Sequence, residues 1–274
     1  MLLQRVITAL ALLPLVLGAA WYAPLPLLYG LLVVAALLAA WEWTTLMGWG
    51  APAMNGRRRV YMVFCAVVMG LAWLLRGYWP WFAGLAVAWW LLATCLLPGF
   101  PANLERLKPG TLLLGLLGQI LWVPAVLSLV MLRAMPDGGL RLIYVLTLVW
   151  AADVGAYIAG RNFGRHKLAP NISPGKTREG ALGGLLLCAA WALTAGSLAF
   201  NVTGLHQLLL VLVLSLLAAA LSIVGDLSIS MFKRLSGVKD SGTLLPGHGG
   251  LLDRIDSLLA AAPVMALGVH WLGL

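Results

Sequence analysis

Long, continuous runs of apolar residues dominate this chain, and most polar residues lie in short stretches between them. A run of about 18 or more apolar residues is long enough to cross the hydrocarbon core of a bilayer as an α-helix. The strands of a membrane β-barrel would alternate apolar and polar positions, and these runs do not alternate. We therefore predict an all-α, polytopic membrane protein with about nine transmembrane helices. The predicted spans cover residues 6–22, 25–46, 60–76, 78–97, 111–132, 141–159, 180–200, 205–228 and 251–273.

The polar residues divide the chain into two unequal parts. The loops between the predicted spans are short, so we expect one membrane-embedded domain over residues 1–274. Residues 1–138 form mainly apolar N-terminal helices, whereas residues 139–274 contain two polar blocks, at 150–180 and 225–256. Both blocks adjoin loops on the same predicted side of the membrane. We therefore predict that residues 139–274 form the catalytic part, with both blocks building one cleft.

The composition agrees with a membrane protein, and the charges predict its orientation. Hydrophobic residues make up 62% of the chain and charged residues 10%, against about 25% charged residues in soluble domains. With the N-terminus in the cytoplasm, 15 of the 18 Lys and Arg residues fall on the inner side, as the positive-inside rule expects. The net charge of +9 therefore requires no nucleic-acid partner. The N-terminal segment resembles a signal peptide, but we expect it to be retained, because cleavage would leave eight spans.

The first polar block contains an acidic residue inside a span. Asp153 lies about seven residues before the inner end of the sixth predicted span, where a carboxylate costs about 2.5–3.5 kcal/mol to insert. Two explanations are open: an ion pair, for example with Arg161, or a contact with a substrate or metal ion.

The same block ends in a segment with donors for phosphate. Ser173, Lys176 and Thr177 precede the seventh span, and a helix N-terminus with free amides and partial positive charge favours phosphate. The segment resembles the end of a P-loop, but Pro170 stands where that motif needs glycine, and a polar loop is expected here instead of a strand. We therefore exclude a P-loop NTPase.

Three aspartates in the second block suggest a magnesium site. Asp253 and Asp256 lie three residues apart near the start of the ninth span, so both carboxylates share one helix face. Asp226, near the inner end of the eighth span, is expected to complete the cluster. Oxygen ligands of this kind favour Mg²⁺, whereas Zn²⁺ prefers Cys and His. Acidic residues at a helix start are also ordinary partners of the helix dipole, which is the alternative explanation.

The turn before the ninth span is rich in glycine. Gly249 and Gly250 would allow the backbone to approach a ligand closely. His248 beside them either contacts phosphate or orders the turn. In the apolar half, Glu42 is interpreted as a snorkelling or capping residue near the inner end of the second span.

The second block also carries a family resemblance. The pattern S-x-F-K-R-x4-K-D-x-G-x2-L-P-x-H-G-G-x2-D-R-x-D, from Ser230 to Asp256, resembles the signature of phosphatidate cytidylyltransferases (CDP-diacylglycerol synthases). The upstream segment ADVGAYIAGRNFGRHKLAPNISPGKTREG is similar to the bacterial members. The resemblance implies nucleotidyl transfer from CTP to phosphatidic acid, which gives CDP-diacylglycerol and pyrophosphate in phospholipid biosynthesis. It also implies a homodimer in the bacterial cytoplasmic (inner) membrane, with its active site facing the cytoplasm.

The resemblance further implies roles for individual residues. Mg²⁺, paired with a monovalent cation such as K⁺, is expected at Asp226, Asp253 and Asp256, with Lys239 as a fourth catalytic residue. The residues expected to bind CTP or phosphatidic acid are Asp153, Ser173, Lys176, Thr177, Ser230, Lys233, Arg234, His248, Gly249, Gly250 and Arg254.

One departure from the family pattern keeps other functions open. Ile229 stands where an acidic residue is common in the family, which is the one hint of a catalytically silent scaffold. The main alternative is a transporter or channel for an anionic solute, since intramembrane acids and basic loops also mark such pathways. A transporter predicts charged residues along several spans, whereas the charges here gather on the inner side.

Overall fold

A computed structural model describes the backbone of residues 2–107, 109–244, 247 and 249–274, with side chains from Leu10 onwards. His248, a predicted substrate-binding residue, lies outside the described residues.

Helices account for most of the described chain. They are α1 (Leu2–Tyr22), α2 (Leu25–Thr44), α3 (Asn55–Leu74), α4 (Trp79–Leu96), α5 (Ala102–Leu107), α6 (Thr111–Ala134), α7 (Gly138–Phe163), α8 (Arg178–Trp191), α9 (Ser197–Ala199), α10 (Leu205–Leu235) and α11 (Leu252–Leu272). π-Helical turns follow α2 and α8, at Thr45–Trp49 and Ala192–Gly196. Short 3-10 turns lie at Pro52–Met54, Arg76–Tyr78 and Leu97–Gly99. Two strands, β1 (Lys167–Ala169) and β2 (Ser173–Thr177), separate α7 from α8.

Each of the nine predicted spans falls on a helix. Within the described residues, seven helical segments are long and apolar enough to cross a membrane: Leu25–Trp49, Arg76–Gly99, Thr111–Ala134, Gly138–Phe163, Arg178–Ala199, Leu205–Leu235 and Leu252–Leu272. The predicted all-α membrane architecture is confirmed. Helix α3 lies outside this set because three arginines lie within its first five residues, and α1 contributes a shorter described apolar segment, Leu10–Tyr22. The count of nine spans and the position of the N-terminus stay predictions.

Helices α6 and α11 form the centre of the bundle. Helix α6 packs against α2, α4, α7 and α11, and it is the most buried of the candidate spans. Buried indoles join its neighbours: Trp43 on α2 donates to the carbonyl of Leu114 at 2.9 Å, and Trp90 on α4 donates to the carbonyl of Leu259 on α11 at 3.1 Å. These bonds satisfy indole N–H groups that would be costly to leave unpaired in an apolar interior.

Small residues bring α7 and α8 into close contact. A Cβ atom added to Gly155 would lie 2.6 Å from the carbonyl oxygen of Gly183, and one added to Gly184 would lie 2.7 Å from that of Ala152. Interfaces of this kind allow close backbone packing between helices in membranes. The close packing fixes Asp153, on α7, relative to the segment that enters α8.

That segment is a β-hairpin, which differs from the predicted polar loop. Strands β1 and β2 pair antiparallel, with Lys167 opposite Thr177 and Ala169 opposite Ser173. The sequence of β2 contains Ser, Pro and Gly, which are not typical strand residues, so local propensity gives little sign of it. Tertiary context therefore decides this element, and Lys176 projects from a strand.

Candidate active site

The two polar blocks meet in one cleft, as predicted. A cavity of about 380 Å³ opens between α7, β2, α8, α10 and α11. Four of the predicted site residues line it: Asp153, Lys176, Thr177 and Asp226. Much of the remaining wall is apolar, with Ala152, Ala156, Leu168 and Ile223 among the lining residues. The cavity therefore combines a charged group with a surface suited to hydrocarbon.

An ion pair joins the two blocks inside this cavity. Lys176 of β2 pairs with Oδ2 of Asp226 on α10. The Ser230 hydroxyl, one turn further along α10, donates to Oδ1 of Asp226 at 3.3 Å. Asp153 and Asp256 both interact electrostatically with Asp226 and Lys176. Lys176 therefore acts on all three carboxylates, while Arg254 also acts on Asp153 and Lys233 on Asp256.

Close helix packing positions Asp226 near Asp256. A Cβ atom added to Gly225 on α10 would lie 2.6 Å from the carbonyl oxygen of Asp256 on α11. Glycine is thus required at this position for the two helices to approach. The Asp256 side chain is buried, and its Oδ1 accepts a hydrogen bond from the amide of Ser257 at 2.7 Å.

Asp253 faces a different set of partners. Its Oδ1 accepts from Nζ of Lys233 at 2.7 Å, and the two side chains are only 8% and 9% exposed. Its Oδ2 accepts from the amides of Ser241 and Gly250, at 3.0 and 3.1 Å. Asp253 therefore closes the loop between α10 and α11 and neutralises a buried lysine.

This arrangement corrects the expected geometry of the three aspartates. In the described part of the chain, no group of three His, Cys, Asp or Glu side chains is placed to hold a metal ion. The predicted convergence of Asp226, Asp253 and Asp256 is absent because Asp253 is held by Lys233 and the loop amides. A smaller site fits the residues: magnesium is commonly held by one or two carboxylates together with substrate phosphates and water. Asp226 and Asp256 would be the two carboxylates of such a site.

The N-terminus of α8 offers fewer free amides than predicted. The amide of Arg178 donates to the carbonyl of His166 at 2.8 Å, and that of Gly180 donates to Oγ1 of Thr177 at 3.1 Å. Thr177 is the N-cap of α8 and is buried. Ser173 is half-buried at the other end of β2. Protein partners thus occupy two of the amides expected to bind phosphate, and Lys176 remains the cavity-lining cation of this segment.

Three further basic residues differ in their surroundings. Arg234 donates through Nε to the carbonyl of Ile172 at 3.1 Å and through Nη1 to that of Val238 at 3.3 Å, so it ties α10 to the hairpin turn. Lys239 lies exposed in the loop that follows α10. Arg254 is exposed on α11 and interacts electrostatically with Asp153.

The glycines before α11 make room for protein groups. A Cβ atom added to Gly250 would lie 2.1 Å from Oγ of Ser241 and 2.6 Å from Oε2 of Glu42. Gly249 has a φ of +82°, which favours glycine by itself. The space at Gly250 is therefore filled by the protein, in contrast to the predicted close approach of a ligand.

Sequence reasoning missed the importance of Glu42. The predicted capping role is correct, but the carboxylate caps α11 instead of its own helix, with bonds to the amides of Leu251 and Leu252. The available signal was an acidic residue inside an otherwise apolar span.

Comparison with known proteins identifies the family. The sequence model of the cytidylyltransferase family matches residues 3–272, nearly the whole chain. The chain belongs to the cytidylyltransferase family. The phosphatidate cytidylyltransferase of Pseudomonas aeruginosa is 44% identical over 271 residues, which covers 97% of this chain and 96% of that protein. That of Haemophilus influenzae is 39% identical over 283 residues, covering 96% of each chain. The family resemblance predicted from the second polar block is confirmed.

A third relative aligns with about half of the chain, at a similar identity. The phosphatidate cytidylyltransferase of Brucella melitensis is 46% identical over 142 residues, which covers 52% of this chain and 51% of that protein.

Proposed function

We propose that this protein transfers a cytidylyl group from CTP to phosphatidic acid, giving CDP-diacylglycerol and pyrophosphate for phospholipid biosynthesis. The observation that carries the proposal is the 44% identity, over nearly the full length of both chains, to a bacterial phosphatidate cytidylyltransferase. The cavity that joins Lys176 and Asp226 supports it, because it offers charged groups beside an apolar wall. Such a wall suits a substrate whose acyl chains remain in the bilayer.

The reaction sets clear demands on the site. A phosphate oxygen of phosphatidic acid attacks the α-phosphorus of CTP and forms a new P–O bond. The bond between the α-phosphorus and the bridging oxygen breaks, and pyrophosphate leaves with that oxygen. Both reactants are anions, so positioning and charge neutralisation supply most of the catalysis in such transfers. A phosphate monoester is already largely ionised at neutral pH, so no strong general base is required.

The residues of this chain divide these tasks. Lys176 lines the cavity and would bind a phosphate oxygen there. Lys239 and Arg254 are exposed and would add positive charge toward the nucleotide. Asp226 and Asp256 would hold Mg²⁺, which when bound neutralises phosphate charge and stabilises a leaving group. Lys233 and Asp253 would keep the loop before α11 in place through their buried ion pair.

The location and assembly belong to the same proposal. We infer a protein of the bacterial inner membrane, with its cleft open to the cytoplasm, where CTP is present. From the family resemblance we further propose that K⁺ binds beside Mg²⁺ and that the protein forms a homodimer.

The decisive test is the conversion of lipid by the purified protein. The full chain in mixed micelles is incubated with phosphatidic acid, Mg²⁺ and each nucleoside triphosphate in turn, and the lipid product is identified. We expect CDP-diacylglycerol with a cytidine nucleotide only. An unchanged lipid with every nucleotide would contradict the proposal. Anion flux into liposomes without CTP would instead favour the transporter alternative.

Asp226→Asn tests the cation site. Asparagine keeps the shape of the side chain but removes the charge that faces Lys176. We expect turnover to fall on the order of a hundredfold, the usual scale for losing one electrostatic stabiliser, and the Mg²⁺ requirement to rise. The matched control is Glu105→Gln, the same kind of change at an exposed position on α5. Normal turnover with a normal Mg²⁺ dependence, in a folded variant, would refute the assignment.

A further inference from the structure

Glu42 is a buried acidic residue in the apolar half of the chain. It lies on α2 and is only 5% exposed. Its Oε1 accepts from the amide of Leu251 at 3.0 Å, and its Oε2 accepts from the amide of Leu252 at 2.8 Å and from the Ser241 hydroxyl at 3.0 Å. These donors are about 200 residues away in the chain: the two amides lie at the start of α11, and Ser241 lies in the loop before it. One carboxylate thus joins the N-terminal half to the segment that carries the predicted active-site acids.

The charge of Glu42 is balanced by the backbone. The amides at the first turn of a helix are unpaired within that helix and carry a partial positive charge. A capping residue normally belongs to the same chain segment as the helix that it caps. Glu42 caps α11 in the same way, but from α2. Hydrogen bonds from neutral donors to a buried carboxylate are stronger than bonds between neutral groups. The start of α11 is consequently defined by a residue on a different helix.

The loop backbone is pressed against this carboxylate. A Cβ atom added to Gly242 would lie 2.5 Å from Oε1 of Glu42, and one added to Gly250 would lie 2.6 Å from Oε2. Contacts this short leave no room for a side chain at either position. The two glycines therefore keep the ends of the loop close to Glu42.

Asp253 holds the same loop ends from the other side. Its Oδ2 accepts from the amides of Ser241 and Gly250, while Glu42 accepts from the Ser241 hydroxyl and the amides that follow Gly250. Together, the two carboxylates bind both ends of the loop: Ser241 at one end and residues 250–252 at the other. Asp256 lies about one helical turn after Leu252, in the part of α11 that these bonds hold.

We propose that Glu42 is a positioning residue of the reaction. It fixes the start of α11 and thereby holds Asp256 at its distance from Asp226, without contact with either substrate. This inference rests on the proposed function, and it assigns to the N-terminal half a part in the geometry of the active site. Both the charge and the reach of Glu42 are needed, because the three donors are shared between its two oxygens.

Glu42→Gln tests the proposal, with Tyr61→Phe as the matched control. The amide has one acceptor oxygen where the carboxylate has two, so at least one amide at the start of α11 loses its partner. The control removes two hydrogen bonds in the same half, away from the loop: the Tyr61 hydroxyl donates to the carbonyl of Gly115 at 2.8 Å and accepts from Nε2 of Gln119 at 3.1 Å. We expect kcat per folded molecule to fall on the order of tenfold to a hundredfold in Glu42→Gln, with a smaller change in KM. The control keeps kcat per folded molecule near the wild-type value.

Hydrogen exchange gives a readout that does not depend on activity. The amides of Leu251 and Leu252 are expected to exchange faster in Glu42→Gln than in the wild type, and to be unchanged in Tyr61→Phe. If the wild type lacks activity, the proposed function fails and the positioning role in that reaction fails with it, while faster exchange of these amides in Glu42→Gln would still show that Glu42 caps α11. If the wild type is active and Glu42→Gln keeps its kcat, the positioning role fails alone.

A glycine variant tests the same contact from the opposite side. Gly242→Ala is expected to displace Glu42 and to lower kcat in the wild-type background. In a Glu42→Ala background the added methyl group meets no carboxylate, so Gly242→Ala should cause little further loss. Additive effects of the two substitutions would overturn the proposal, because independent sites add and coupled sites do not. A loss of folded protein in proportion to activity, with kcat per folded molecule unchanged, would overturn it as well.

Discussion

The Lys233→Met substitution tests the energetics of the buried ion pair beside the predicted site. Lys233 and Asp253 are 9% and 8% exposed, with 2.7 Å between Nζ and Oδ1. Removing one member of such a pair costs about 3–5 kcal/mol, because the other charge stays buried without its partner. Asp253 would retain the amides of Ser241 and Gly250 as donors. We therefore expect a loss at the lower end, about 3 kcal/mol.

The free energy of unfolding in mixed micelles, measured by denaturant titration, checks this value. Lys239→Met is the matched control, since Lys239 is exposed and such surface changes usually remain within about 0.5 kcal/mol. Asp253→Asn in the Lys233→Met background removes the unpaired charge, so the double variant should lose less stability than the two single losses added together. A Lys233→Met protein as stable as the control would refute the reasoning.

Two further substitutions test how the hairpin and α8 are held. Gly183→Val is expected to destabilise the protein by about 1–3 kcal/mol, because a Cβ atom there would lie 2.2 Å from that of Ala159 and 2.9 Å from the carbonyl oxygen of Gly155. Thermal unfolding measures this loss of stability. The control is Gly175→Ala, which adds a methyl group in open space. Thr177→Ala removes the N-cap bond of α8 and is expected to cost about 1 kcal/mol, while Thr177→Ser retains the hydroxyl; equal stability of the two variants would contradict this role.

The sequence predicted the helices and the family well, because both leave strong local signals. Continuous apolar runs have one stable form in a bilayer, and each predicted span falls on a helix. The pattern from Ser230 to Asp256 has many specified positions, so the family could be named from it. The hairpin was missed because three- and five-residue strands leave little periodic signal, and Ser173–Thr177 lacks strand-forming residues.

The sequence alone determined that the protein is a helical membrane protein of this family, with six of its nine acidic residues in two polar blocks. Those properties depend on hydrophobicity and motif spacing, which are read along the chain. The partners of each charge were decided by tertiary structure alone: Asp226 faces Lys176, Asp253 faces Lys233, and Glu42 caps a helix far from it in the chain. The physical reason is that carboxylates of identical chemistry are distinguished by helix packing, and close packing depends on glycines whose neighbours belong to other helices.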